Sequence, residues 1–334
     1  MAVICAVLVI ASLVYGPVRI SLSDLWAAAT GASSEPASTI LTQLRMPRVV
    51  LALLVGGSLA LSGAALQGVL RNPLADPGLI GIAAGAGVGA VGFIVLGDAL
   101  LTLSGHSAIM QILQPYLLSI FAFLGAAIAT FFVFYIARGP NGISVTMLIL
   151  AGVAVSAVAG AFIGAMVYIS DDRQLRDLTF WSMGSLGDAQ WTRLVPVAVF
   201  ALPAWFILAG TARPLDLFQL GERAAFHAGI NTNYVKFKIG AASALAVGAV
   251  TAVAGPIGFI GLVAPHLSRM LIGPRHAFIL PGAVLIGAAL TLFSDLAVRT
   301  IAPPAEPPIG LATSMIGGPF FLWLIAARAR SGHA

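Results

Sequence analysis

Apolar blocks separated by short polar or glycine- and proline-rich stretches organise the chain. The first runs from Met1 to Tyr15; a Ser/Thr/Ala-rich connection from Arg19 to Gln43 follows, and Arg45, Pro47 and Arg48 end it. Val49 to Leu70 and Gly78 to Gly97 then form an antiparallel pair around the polar turn Arg71-Asn72-Pro73-Leu74-Ala75-Asp76-Pro77. Further spans are predicted at Gln111 to Ala137, Ser144 to Ile169, Trp191 to Gly210, Val235 to Ala254, Pro256 to Ile272, Phe278 to Thr300 and Gly310 to Arg328. A helix needs ~20 apolar residues to cross a bilayer, so the pattern predicts an all-α, polytopic membrane protein of about ten transmembrane helices. Gly255-Pro256-Ile257-Gly258 is the break that divides the seventh block from the eighth; hydropathy alone also allows eight or nine. The first block is short of a full crossing, so either Gly16 to Ile20 extends it or the natural start lies upstream; it lacks the basic n-region and cleavage site of a secretory signal.

Two features interrupt this pattern. Small residues recur every four positions at Gly56, Ala60, Ala64 and Gly68, at Gly81, Gly85 and Gly89, and at Gly152, Ser156, Gly160 and Gly164. That spacing lets helix backbones approach closely in lipid, and equally makes a smooth stripe along a pathway. The second feature is the polar stretch Arg213 to Lys238, which holds Asp216, Glu222, Arg223, His227 and both lysines of the protein, yet keeps apolar residues through its first half. It reads as a short helix lying outside the bilayer.

Composition narrows the function. Hydrophobic residues make up 59% of the chain, charged residues 9%, and the mean hydropathy is +1.01. The 17 lysines and arginines form no basic run, which excludes a nucleic-acid partner. With both termini cytoplasmic, ten of them fall inside (Arg71, Arg138, Arg213, Arg223, Lys236, Lys238, Arg269, Arg275, Arg328 and Arg330) against seven outside, as the positive-inside rule requires. Cys5 is the single cysteine, so an intrachain disulfide and a cysteine metal site are excluded. Neither lysine follows a glycine, so a phosphate-binding loop is absent and any ATP must be hydrolysed by another chain. The acidic residues all lie in loops or within about two turns of a span end, against an ion-coupled carrier.

RMPR...LALLVGGSLALSGAALQGVLRNPLADPGLIGIAAGAGVG, LILAGVAVSA at Leu148 to Ala157, TFWSMGSLG at Thr179 to Gly187, GPIGFIGLVAPHLSRMLIG at Gly255 to Gly273 and GGPFFLWLI at Gly317 to Ile325 together resemble the permease family of ABC importers for vitamin B12, ferric siderophores and haem. TFWSMGSLG and LADPGLIGI resemble the haem branch most. The resemblance implies one transmembrane permease domain over 1–334, in a homodimer of the bacterial inner membrane with the path on its two-fold axis. Two cytoplasmic ATP-binding subunits, carrying ATP and Mg, and a periplasmic substrate-binding protein complete the assembly; haem is cargo, and the permease itself holds no cofactor or metal.

Residue by residue, Glu222-Arg223-Ala224-Ala225-Phe226-His227-Ala228-Gly229 resembles the family's Glu-Ala-Ala-x-x-x-Gly signature with one residue inserted. This places ATPase coupling within 213–233, on Leu217, Leu220, Gly221, Glu222, Ala224, Ala225 and Gly229. Arg45, Arg48 and Arg299 are implied to dock the binding protein. The path follows Gly152, Ser156, Gly160 and Gly164, with an inner gate at Ser144, Val145 and Thr146. His266 reads as a satisfied helix-end histidine, since the same Ala-Pro-His motif resembles permeases that carry no haem.

Overall fold

The computed structural model describes residues 1–16, 18, 20–30, 35–104, 113–140, 142–301 and 306–331. Helices occupy all ten predicted blocks: α1 (Ala2–Val14), α4 (Met46–Leu70), α5 (Ile82–Ser104), α6 (Leu117–Ala137), α7 (Val145–Ile169), α9 (Trp191–Ala209), α12 (Thr232–Ala254), α13 (Ile260–Ile272), α14 (His276–Ile301) and α15 (Ile309–Ser331). Among the described residues six helical stretches are long and apolar enough to cross a membrane, while Ala2–Val14, Ile82–Gly97, Ile260–Ile272 and Ile309–Leu324 are shorter apolar helices. The chain is a multi-pass membrane protein. Gln111 and Ile112, where the fourth block was expected to begin, lie outside the described residues, as does Arg19.

Between these lie short helices. The polar connection expected up to Gln43 instead contains α2 (Leu22–Thr30) and α3 (Glu35–Thr39), and a π-helical turn, Ile40–Arg45, carries α3 directly into α4. Arg45, Pro47 and Arg48 therefore sit inside a helix rather than ending a loop. Pro47 follows just after that π-helical turn, a local departure from the α-helical hydrogen-bond register at a residue that has no N–H to donate. An unpredicted amphipathic helix, α8 (Asp172–Met183), opens with a capping box between Asp171 and Gln174. The polar stretch after α9 folds into α10 (Ala212–Gln219) and α11 (Glu222–His227). Asn231 then caps α12, its Oδ1 accepting from the Tyr234 N–H at 3.0 Å, so that span begins three residues before the expected Val235. Lys236 and Lys238, which the sequence assigns both to the polar stretch and to the start of the span at Val235, lie in the long helix.

The centre of the bundle is α4, whose most apolar window is 89% buried, against 22% for α7. Glycine makes this possible. A Cβ on Gly56 would lie 2.2 Å from the Gly287 carbonyl oxygen of α14, and one on Gly63 would lie 2.0 Å from that of Gly261 on α13. Trp205 of α9 covers Gly57 and donates Nε1–H to Ser58 Oγ at 2.9 Å. The α5–α6 crossing uses the same device, with Gly85 facing the Gly125 carbonyl and Gly89 facing that of Phe121. With lipid tails as apolar as leucine, close backbone contact and its dispersion attraction hold such helices together.

Candidate coupling segment, gate and arginine cluster

At one end of the bundle, α10 and α11 form a compact hook. Leu215 and Phe218 of α10 are buried, as is Ala225 of α11, which fastens the hook to the helices behind it. Leu220 and Phe226 are 74% and 64% exposed. Gly221, between the helices, has φ +111°, and Gly229 ends α11 at φ +84°. The α11 end is a Schellman cap: the Ile230 N–H reaches the Ala225 carbonyl at 3.0 Å and the Gly229 N–H that of Phe226 at 2.9 Å. Both glycines of the predicted segment thus occupy conformations that disfavour any side chain. A cleft of about 610 Å³, lined by Arg71, Gly221, Glu222, Arg223, Phe226, His227 and Thr232, opens beside the hook.

Two charged contacts tie this hook to the bundle. Asp216 accepts from the backbone N–H of His276, at the start of α14, at 2.9 Å, and meets its Nδ1 at 2.7 Å. Glu222, in the first turn of α11 where a negative charge is favoured, pairs with Lys236. Lys236 Nζ also donates to the Ile143 carbonyl at 2.6 Å.

Ile143 closes a two-stranded hairpin (β1 Arg138–Gly139, β2 Gly142–Ile143) that leads into α7. Of the expected gate, Ser144 caps α7, accepting from the Met147 N–H at 3.4 Å, while Val145 and Thr146 form its first turn. Nearby, Asp76 Oδ1 accepts from the Gly78 N–H at 2.8 Å and so starts a one-turn helix, Pro77–Ile80; burial pushes the Asp76 carboxyl up from its ordinary value and that bond partly opposes the shift. The α7 stripe divides. A Cβ on Gly152 would lie 1.8 Å from the Leu79 carbonyl oxygen, Ser156 one turn on is half-buried, and Gly160 and Gly164 are exposed, where a Cβ would meet nothing within 4 Å.

The opposite end holds the three arginines, Arg45, Arg48 and Arg299. Arg45, 5% exposed, donates to the Val14 carbonyl at 2.8 Å and to those of Leu13 and Val18. It thus caps the last turn of α1, where a cation meets otherwise unpaired carbonyls. Arg299, 4% exposed, lies 3.0 Å from Asp295 Oδ2. Arg48 binds Asp295 Oδ1 through Nε and Nη2, both at 2.9 Å, and Glu306 through Nη1 at 2.6 Å. Arg45 and Arg299 are turned inward and clamp α1, α4 and α14 together. Arg48 alone reaches a carboxylate, Glu306, that is 38% exposed.

Two of the quoted motifs meet at this end. Gly184 closes α8, the Ser185 N–H donates to the Ala254 carbonyl at 2.8 Å, and the Ile309 N–H to that of Gly184 at 3.0 Å. A Cβ on Gly255 would lie 2.3 Å from the Trp181 carbonyl oxygen. TFWSMGSLG and GPIGF are therefore the two sides of one backbone crossing. His266 packs edge-to-face on Phe320, ring centroids 5.9 Å apart.

The profile of the FecCD transport family matches residues 4–327. The haemin transport system permease protein HmuU of Yersinia pestis is 42% identical over 328 residues, covering 97% of this chain and 93% of its own. The vitamin B12 import system permease protein BtuC of Vibrio vulnificus is 35% identical over 332 residues, covering 99% and 94%. A solved inward-facing structure of a metal-chelate type ABC transporter superposes with a TM-score of 0.85 at 31% identity, covering 98% of this chain and 97% of that one.

Proposed function

The chain belongs to the FecCD transport family, and we propose that it is the membrane permease of an ATP-driven importer that carries haem from the periplasm to the cytoplasm. Residues 1–334 form one permease domain of the bacterial inner membrane, crossing it ten times with both termini cytoplasmic. Two copies pair so that the exposed faces of α7 and α15 line a path on the two-fold axis. Two ATP-binding subunits, with their ATP and Mg, engage the hook at Leu217, Leu220, Gly221, Glu222, Ala224 and Gly229, while buried Ala225 holds it from behind. A periplasmic binding protein delivers cargo to the opposite end; it docks on the surface around Glu306 and the Asp188–Arg193 pair, which the arginine cluster supports from behind. Selectivity lies with that protein, since a low-charge conduit lets a large ligand pass without a sticky intermediate site. Haem is favoured by the 42% identity to the haemin permease, and the 35% identity to the B12 permease makes cobalamin the competing cargo.

The observation that carries the reading is the α10–α11 hook, rigidly capped and fastened to the bundle yet presenting Leu220 and Phe226 outward beside a cleft. Gly229→Trp tests it. A large side chain at φ +84° distorts the cap, so cargo moved per ATP hydrolysed is expected to fall several-fold in the reconstituted complex. An unchanged ratio would remove the hook from the mechanism.

A further inference from the structure

Lys236 is 4% exposed, on the first turns of a long apolar helix. An ammonium group in that setting costs several kcal/mol unless fully partnered, and here its partners lie on two different segments. One is Glu222 of the hook; the other is the backbone carbonyl of Ile143, in the hairpin that leads into α7. The same hairpin is fixed to α12 again next door, where the Ile143 N–H donates to Asn233 Oδ1 at 2.8 Å. Gly142 leaves no slack at this seam, because a Cβ there would lie 2.2 Å from the Asn233 side chain. From Ile143 the chain passes without interruption through Ser144 into α7 and on to the open stripe at Gly160 and Gly164.

We propose that Lys236 is the positioning residue that links the hook to the gate: displacement of Glu222 by a partner is passed through the Lys236 ammonium to the Ile143 carbonyl, and so to the N-terminus of α7. This deepens the importer reading and rests on it. A side chain with one charge and several donors suits the task, since it holds a carboxylate and a carbonyl at once and can give up one without losing the other. An apolar residue of the same length would fill the space and sever the link.

The test uses the complete complex of permease, ATPase and binding protein in proteoliposomes, with haem uptake and ATP hydrolysis measured in parallel. Lys236→Met and Glu222→Gln are each expected to lower uptake per ATP about tenfold, within the range over which residues along a coupled network act. The double variant should fall no further, because both remove the same link, and Lys236→Arg should recover part of the loss. If Lys236→Met does not assemble, Glu222→Gln carries the test, since Glu222 is 39% exposed and the change keeps its shape. An unchanged ratio in either single variant, or losses that multiply in the double, would overturn the relay while leaving the importer intact. Wild-type uptake that ignores ATP would overturn the importer reading and the relay with it.

Discussion

Replacing Asp295 by alanine is expected to destabilise the folded chain by about 3–5 kcal/mol, the range for removing one partner of a buried ion pair. Asp295 is 2% exposed and divides its two oxygens between Arg48 and Arg299. Without it Arg48 keeps Glu306, but Arg299, 4% exposed, is left with the Ser12 carbonyl at 3.5 Å. The penalty is the cost of a buried cation without its counter-charge, and it falls where α1, α4 and α14 meet. Thermal unfolding in detergent, followed by size-exclusion chromatography, measures it. A large drop in the melting transition is expected; a curve matching the parent would mean that the cluster does not hold these helices together.

A second large effect separates packing from pathway on α7. Gly152→Leu drives a side chain into the Leu79 carbonyl, an overpacking that costs about 1–3 kcal/mol or more, and should yield little folded protein. A Cβ at Gly160 would meet nothing within 4 Å in the single chain, so Gly160→Leu has open space to enter, and leucine has the better helix propensity by roughly 0.8 kcal/mol. The isolated chain should therefore keep its stability, while haem uptake falls to background because the added bulk stands in the proposed path. Normal uptake by Gly160→Leu would remove this face of α7 from the pathway.

Most of the helical framework was legible because hydropathy reports lipid burial directly. The break at Gly255-Pro256 and the turn from Arg71 to Pro77 were readable from residues that cannot continue a helix. What the pattern missed was amphipathic or locally capped: α8 is too polar to register as a span, and only the capping pair Asp171 and Gln174 marks its start. The stripes at Gly56 and at Gly85 were legible as close contacts, but spacing alone could not show that the α7 stripe passes from packed to open between Gly152 and Gly160, since that depends on which neighbour lies opposite.

The arginines illustrate the harder limit. Arg45 and Arg299 look like exposed charges because each sits near a span end, and the sequence does not reveal that the carbonyls of α1 or the carboxylate of Asp295 lie within reach. Lys236 was counted with the polar stretch Arg213 to Lys238, and its burial was hidden for the same reason. Its partner Ile143 is 93 residues away and contributes only a backbone oxygen, which leaves no trace in the side-chain pattern. The short helices of the hook were readable from the polar stretch between two long spans, and Gly221 and Gly229 take the positive φ that their turns require.

We propose that this chain moves haem across the membrane under the control of a separate ATPase. Uptake into proteoliposomes containing the permease and its ATPase tests it most directly, with haem, a ferric siderophore and cobalamin each offered on a cognate binding protein, with and without internal ATP. Accumulation of haem alone, and only with ATP and the ATPase present, is the predicted result. Uptake that proceeds equally without ATP or the ATPase would contradict the account.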